Sequence, residues 1–453
     1  MFQIPFMLPT FKGGVHPYDN KAHTKDIKIQ ELAAPKTMIF PVIQHTGAPS
    51  EVVVNVGDSV KVGQLIAKQG GYISANHHSS VSGTVVAIEP RLHPNGSYIN
   101  SIIIENDNEY QIHDKIKPYS QPDKLTKEEI AKAVSDAGIV GMGGAAFPTH
   151  VKLSPPEGKQ VRHIIINGSE CEPYLTSDYR VMLEDTDELL VGCNLLFKAL
   201  DALECIIVVE SNKKDAIAKI SQSPLYKQND KIKTVEVKTK YPQGGEKQIL
   251  YAVLGKQLPP GCLPVDVGAL VVNVDTCCAI SRALTTGMPL ITRIVTVSGS
   301  AITNKQNFRV PIGTPVADVI TGAGGLITQP VKILLGGPMM GIAIHSTEVP
   351  IIKGTGALLA LTEKDIGTKI TTNCTRCGKC VEACPMNLMP TIIDKYCVKF
   401  DADMLQKYNI SDCIECGSCT YICPAGKDPL QHIRIAKKKL HKINNSKKTE
   451  ERG

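Results

Sequence analysis

The run Cys374-Thr375-Arg376-Cys377-Gly378-Lys379-Cys380-Val381-Glu382-Ala383-Cys384-Pro385 returns, with the same spacing, as Cys413-Ile414-Glu415-Cys416-Gly417-Ser418-Cys419-Thr420-Tyr421-Ile422-Cys423-Pro424. Each run sets three cysteines on a tight loop containing a glycine and a fourth further on, closed by proline. Three thiolates at this spacing can surround one face of an inorganic core. Paired Cys-x-x-Cys also suits tetrahedral zinc. Eight cysteines in two matched runs, each closed by proline, favour iron–sulfur clusters over zinc. The chemistry expected at this end of the chain is single-electron transfer.

The spacing resembles that of the bacterial two-[4Fe–4S] ferredoxins. In that pattern the fourth cysteine of each run serves the other cluster. The resemblance implies one cluster on Cys374, Cys377, Cys380 and Cys423, and a second on Cys413, Cys416, Cys419 and Cys384. Nine of the fifteen cysteines lie in the last 80 residues. The start of the chain lacks a basic region leading into an apolar run, so secretion and a disulfide framework are not expected. Cys397 falls outside the pattern and reads as a packing residue, as do Cys193, Cys205, Cys262, Cys277 and Cys278. Cys171 sits inside a polar motif taken up below.

Across the 453 residues, 42% are hydrophobic and 21% charged, the balance of a core-forming chain of about three domains. The longest apolar attempt, Ile333 to Ile344, is broken by Gly336, Gly337 and Pro338, so no membrane span is expected. From Lys427 onward, nine Lys/Arg against three Asp/Glu equal the whole net charge of +6. That stretch reads either as a solvated tail or as a contact for anionic lipid or an acidic partner. Aromatic residues are only 5%, with no stacking platform for nucleic acid.

Upstream, residues 1–40 read as irregular. Short strands with glycine turns follow: Glu51–Val56, Val60–Ala67 with a break at Gly63, Ser79–Ser82 and Thr84–Ile88. These halves resemble the barrel-sandwich fold of lipoyl and biotinyl carrier domains. The tip, Gly70 to His78, has no lysine to modify, so the domain reads as an adaptor and His77-His78 as an exposed turn pair. Thr126 with Glu129 is a capping box opening a helix. Apolar strands at 161–167, 205–210 and 233–238 then alternate with helices at 189–200 and 213–220, the pattern of a doubly wound α/β domain. A smaller β-rich module follows from Arg293. The boundaries expected are 1–117, 118–290, 291–362 and 363–453.

Gly141-Met142-Gly143-Gly144-Ala145-Ala146-Phe147-Pro148-Thr149-His150-Val151-Lys152 follows a helix, whereas a Rossmann glycine loop follows a strand. Its glycines still expose backbone N–H groups to a phosphate or a flavin ring, and Lys152 adds a compensating charge. With Asn167-Gly168-Ser169-Glu170-Cys171-Glu172-Pro173, Tyr241-Pro242-Gln243-Gly244-Gly245-Glu246 and Asn273-Val274-Asp275-Thr276, the loop resembles the FMN- and NADH-binding domain of respiratory complex I. The order of the whole chain resembles the RnfC family of the Rnf electron-transport complexes. It has a Gly13-Gly14-Val15-His16-Pro17 opening, a barrel-sandwich domain, a flavin domain, a β-grasp (soluble-ligand-binding) module and a double ferredoxin motif.

The resemblance implies that Gly141, Gly143, Gly144, Lys152, Asn167, Tyr241, Gly244, Asn273 and Thr276 line FMN. It implies that Phe147 stacks on the nicotinamide side, and that Glu170 and Glu172 contact flavin or dinucleotide hydroxyls. Complex I has arginine at the place of Met142 and acidic residues at those of Ser169 and Gly245. The function implied is a peripheral subunit on the cytoplasmic face of the inner membrane, linking NAD(H) through FMN to two [4Fe–4S] clusters. Its complex would be a ferredoxin:NAD⁺ oxidoreductase that translocates Na⁺ or H⁺, with partner subunits that include a ferredoxin-like iron–sulfur protein. Two other readings are a soluble corrin reductase and a cluster relay with a vestigial flavin site. The related subunit of the Na⁺-translocating quinone reductase lacks the eight cysteines.

Overall fold

In the computed structural model, which describes residues 7–367 and 370–450, the four sheets fall into three modules, each packed on apolar cores of its own. The first domain pairs Thr37–Pro41, Tyr98–Asn106, Gly83–Leu92 and Ser59–Val60 in one antiparallel sheet. A second sheet joins Glu51–Val52, Leu65–Lys68 and His77–His78. Met38, Phe40, Val60, Ile66, Val85, Ile102 and Ile104 fill the space between. The first two strands are shorter than the sequence pattern suggests, the one expected at 84–88 is longer, and the strand expected at 79–82 lies instead at His77–His78.

His77 and His78 are buried, which corrects the exposed reading of that pair. Lys353, 275 residues downstream of His78, covers them: its Nζ donates to Asn76 O at 2.5 Å and Gly138 O at 2.6 Å. Both ring nitrogens of His77 and the Nδ1 atoms of His45 and His78 have no partner among the described residues. Burial and the Lys353 ammonium keep these imidazoles neutral, with His45 pushed down to about 4 and His78 to about 3.

The central domain is a four-stranded parallel sheet in the order Ile232–Val237, Glu204–Glu210, His163–Gly168, Ala269–Asn273. Successive side chains of His163–Gly168 point to opposite faces. Ile164 and Ile166 enter the larger core, with Leu189, Leu196, Ile280 and Leu284 from helices Thr186–Leu200 and Val274–Thr286. Ile165 enters the smaller core, with Ile249 and Leu250 from helix Glu246–Leu254. Burial on both faces is why these strands read as unbroken apolar runs. Four of the scattered cysteines (Cys193, Cys205, Cys277 and Cys278) pack in the larger core, as small hydrophobes do.

The third module is a six-stranded mixed sheet with helix Val316–Gly322 against it. Its edge strand, Gln30–Glu31, comes from the segment read as irregular and pairs in parallel with Gln306–Pro311. The cysteine-rich end is a set of short helices around Leu388, Ile393, Leu405, Ile410, Ile433 and Ala436. The basic stretch forms the helix Pro429–Glu450 rather than a loose tail, and its buried Ile433, Ala436 and Leu440 hold it to that core.

Candidate functional site

Strand His163–Gly168 lies between Glu204–Glu210 on one side and Ala269–Asn273 on the other, so strand order reverses beside it. In an open parallel sheet the connections diverge at such a point and leave a crevice beyond the carboxyl ends of the strands. Asn167 and Asn273 stand at those two ends, side by side in register. Asn167 Nδ2 donates to Gly244 O at 2.8 Å, which brings in the Tyr241–Glu246 segment. Asn273 Oδ1 accepts from Asp275 N at 2.9 Å and Thr276 N at 3.4 Å, capping helix Val274–Thr286. Its Nδ2 donates to Asp178 Oδ2 at 2.6 Å.

The glycine loop hangs over this crevice. Met142 N donates to Thr276 Oγ1 at 2.8 Å, and Arg293 Nη2 donates to Met142 O at 3.2 Å. Gly141 N closes the loop on Phe147 O at 2.8 Å. Gly143 and Gly144 are exposed, and Gly144 has φ +113, where a side chain would be strained. Phe147 is half-buried. Lys152 Nζ reaches Val271 O at 3.2 Å and Glu246 Oε1 at 3.3 Å. The arrangement fits a polar planar ligand: backbone stays exposed in the loop, and Ser169 Oγ and Gln243 Nε2 are buried without a partner among the described residues.

The two glutamates of the Asn167–Pro173 motif are engaged by the protein itself. Glu170 accepts from Asp178 N at 2.8 Å, Tyr179 N at 3.3 Å and Ser177 Oγ at 3.2 Å, at the start of helix Ser177–Glu184. Lys21 Nζ lies 3.9 Å from its carboxylate. Glu172 accepts from Met339 N at 3.1 Å and Met340 N at 2.9 Å, in a loop of the β-grasp module. Sequence reasoning missed Asp178, Arg293 and Lys21. Arg293 pairs with Asp275 and is buried, so it ties the β-grasp module to the crevice helix. Burial, then the charges of Glu170 and Asp275, push the Asp178 carboxyl up. No local motif marks these residues, because their roles come from partners remote in sequence.

The structure brings the fourth cysteine of each run to the other run. Cys384, Cys413, Cys416 and Cys419 line one cavity, closed by apolar side chains including Leu388, Ile393, Leu430 and Ile433. Burial raises the Cys384 thiol first, and Cys413 of the other run adds more than Cys380 of its own. Cys380 in turn feels Cys423 ahead of Cys374. Backbone N–H groups already point at sulfur: Arg376 N at Cys374, Leu388 N at Cys384 and Glu415 N at Cys413, each at 3.4 Å. These donors and the soft thiol set fit iron–sulfur clusters. The two sets differ in exposure: Cys416 and Cys419 are buried, whereas Cys374 and Cys377 are exposed.

The buried set adjoins the crevice. Tyr241, itself 1% exposed, donates its hydroxyl to Cys416 O at 2.7 Å. Gly14 N donates to Ala383 O at 2.8 Å, and Val15 pairs with Tyr241 across an isolated bridge. Val15, Tyr241, Ala383 and Cys416 form one small apolar cluster, with Cys171 packed against it. Cys171 Sγ accepts from Gly244 N at 3.4 Å.

Family models match the chain in the same order. They are the RnfC barrel sandwich hybrid domain at 9–109, the Nuo51 FMN-binding domain at 134–282, the SLBB domain at 294–343 and the 4Fe-4S dicluster domain at 367–439. The C subunit of the proton-translocating ferredoxin:NAD(+) oxidoreductase complex of Clostridium ljungdahlii is 44% identical over 435 residues, covering 95% of this chain and 94% of that one. The chain belongs to the RnfC family. A second member, the C subunit of the Na(+)-translocating ferredoxin:NAD(+) oxidoreductase complex of Acetobacterium woodii, is 41% identical, covering 95% of this chain and 97% of its own. A chain of an NAD+-reducing [NiFe]-hydrogenase superposes with a TM-score of 0.50 at 16% identity, covering 72% of this chain and 66% of its own. That likeness extends the RnfC architecture to a shared fold and nothing more. No described helix is long and apolar enough to cross a membrane.

Proposed function

We propose that this chain is the peripheral electron-transfer subunit of a membrane ferredoxin:NAD⁺ oxidoreductase, linking NAD(H) through FMN to two [4Fe–4S] clusters. One observation carries the reading: the segment Tyr241–Glu246 touches both redox regions. Gly244 O bonds Asn167 in the crevice, and Tyr241 Oη bonds Cys416 O beside the buried cysteine set. FMN, when bound, takes or gives the two electrons of a nicotinamide hydride and exchanges single electrons with clusters.

The chain's own residues hold and orient. Gly141, Gly143 and Gly144 offer loop backbone to the ligand. Thr276 fixes that loop through Met142, Asn167 fixes Gly244, and Asn273 anchors the helix beneath. Lys152 supplies positive charge at the crevice edge, and Phe147 a half-buried ring. Cys413, Cys416, Cys419 and Cys384 hold the cluster nearer the crevice, and Cys374, Cys377, Cys380 and Cys423 the outer one. The exposure of Cys374 and Cys377 supports an outer cluster that meets a partner, for which a ferredoxin-like iron–sulfur protein is the fitting class. The complex couples this transfer to H⁺ or Na⁺ movement, and the chain sits on the cytoplasmic face of the membrane. The names of its relatives support the coupling.

The test is an anaerobic NADH titration of the iron–sulfur-reconstituted chain with FMN added. Bleaching of a bound flavin by NADH is expected. Assembled clusters with no flavin bound would make the chain a relay.

A further inference from the structure

Glu172 belongs to the polar motif at the crevice, and the resemblance assigns it to a flavin or dinucleotide hydroxyl. Its surroundings differ. Both carboxylate oxygens carry a backbone N–H, Oε2 from Met339 at 3.1 Å and Oε1 from Met340 at 2.9 Å. Two backbone donors on one carboxyl group tie the loop to it at two points, although burial pushes that carboxyl up to about 7. The clamped loop runs from Gly336 to Gly341 and is closed on itself by Gly341 N to Gly337 O at 2.8 Å. On its far side it meets the second cysteine run. The space beside Gly417, between Cys416 and Cys419, is bounded by Met339 O, 2.9 Å from where a Cβ would stand. Arg434 Nη2 donates to Met340 O at 2.9 Å and its Nε lies 3.4 Å from Glu415. Lys437 Nζ, one turn on, bonds Cys413 O at 2.9 Å and Glu415 at 2.7 Å.

The loop is therefore wedged between a carboxylate of the crevice domain and the backbone of cluster-binding residues. We propose that Glu172 is a positioning residue: it seats the Gly336–Gly341 loop of the β-grasp module as a spacer that fixes the buried cysteine set against the flavin crevice. The proposal rests on the electron path of the preceding subsection and gives the β-grasp module a part in it. Electron transfer between fixed centres depends on their separation, and small misplacements in a reaction geometry cost about tenfold or more. Loss of the spacer leaves nucleotide binding intact and slows passage between flavin and cluster.

Three variants test this in the full chain: Glu172→Ala, Glu172→Gln and Gly337→Ala. A Cβ at residue 337 would stand 2.2 Å from Glu172 Oε2, so Gly337→Ala unseats the loop while keeping the carboxylate. The first readout is amide exchange at Met339 and Met340 in the cluster-loaded chain before FMN is added. It should accelerate about tenfold in Glu172→Ala and Gly337→Ala, and less in Glu172→Gln, which keeps one acceptor. The second is kinetic, on the chain loaded with FMN and clusters. The KM for NADH in flavin bleaching should stay within about twofold. Reoxidation by NAD⁺ of clusters reduced beforehand with titanium(III) citrate should slow about tenfold.

A KM that rises tenfold in Glu172→Ala with cluster reoxidation unchanged would make Glu172 a nucleotide contact and overturn the proposal. So would unchanged exchange at Met339 and Met340. A wild-type chain that binds no FMN overturns the proposed function instead, and the exchange experiment still decides whether Glu172 seats the loop.

Discussion

The hydroxyl of Tyr241 donates to the backbone carbonyl of Cys416 at 2.7 Å, so a side chain from the crevice domain holds the peptide of a cluster cysteine. Both groups are buried. Tyr241→Phe leaves that carbonyl without its donor, a loss of about 1–3 kcal/mol. The temperature at which cluster absorbance is lost should drop by several degrees. An unchanged melting temperature would mean water replaces the hydroxyl.

The crossed ligation proposed above makes a paired prediction. Cys384→Ser should remove the buried cluster, although Cys384 lies in the first run, and Cys423→Ser should remove the outer one. Iron content should halve in each variant. EPR of the reduced proteins should show two different residual signals, and identical residual signals would refute the crossing.

Arg293 and Asp275 form a buried ion pair between the β-grasp strand Thr292–Ser298 and helix Val274–Thr286. Arg293→Met strands the aspartate and removes a donor from Met142 O. Breaking such a pair from one side costs about 3–5 kcal/mol. Denaturant unfolding of the variant should show that loss, with weaker FMN binding because the glycine loop has lost a support.

The buried imidazoles give the chain an acid limit. His45, His77 and His78 are neutral in the folded protein, with Lys353 opposing any added charge. As pH falls from about 6.5 to about 4, the unfolded chain takes up protons that folded His45 refuses, so stability falls with pH in that window. The loss should reach about 2 kcal/mol at pH 5 for His45 alone. Urea midpoints across the window check this, and His45→Gln should reduce the slope, leaving the part due to His77 and His78.

What the sequence showed and hid follows from the range of the interactions. The cysteine runs are local, so spacing alone carried them. The parallel sheet was legible because burial on both faces leaves continuous apolar strands such as Ile164–Ile166. His77 and His78 were misjudged because their neighbours are polar, and the lysine that covers them lies in another domain. Asp178 and Arg293 carry no signature beyond ordinary charge. The helix Pro429–Glu450 was overlooked for a different reason. Leu430, Ile433, Ala436 and Leu440 repeat at helical spacing, but Lys437, Lys438 and Lys439 made the stretch look like a solvated tail.

The contact of Gly14 with Ala383 also bears on how the protein is made. Residues emerging from the ribosome early find their partners only when a segment some 370 positions later has been synthesised. Until then the Val15 side of Tyr241 has no Ala383 or Cys416 to close against. The crevice domain therefore completes this face last, when the far end of the chain has been made and has packed against it.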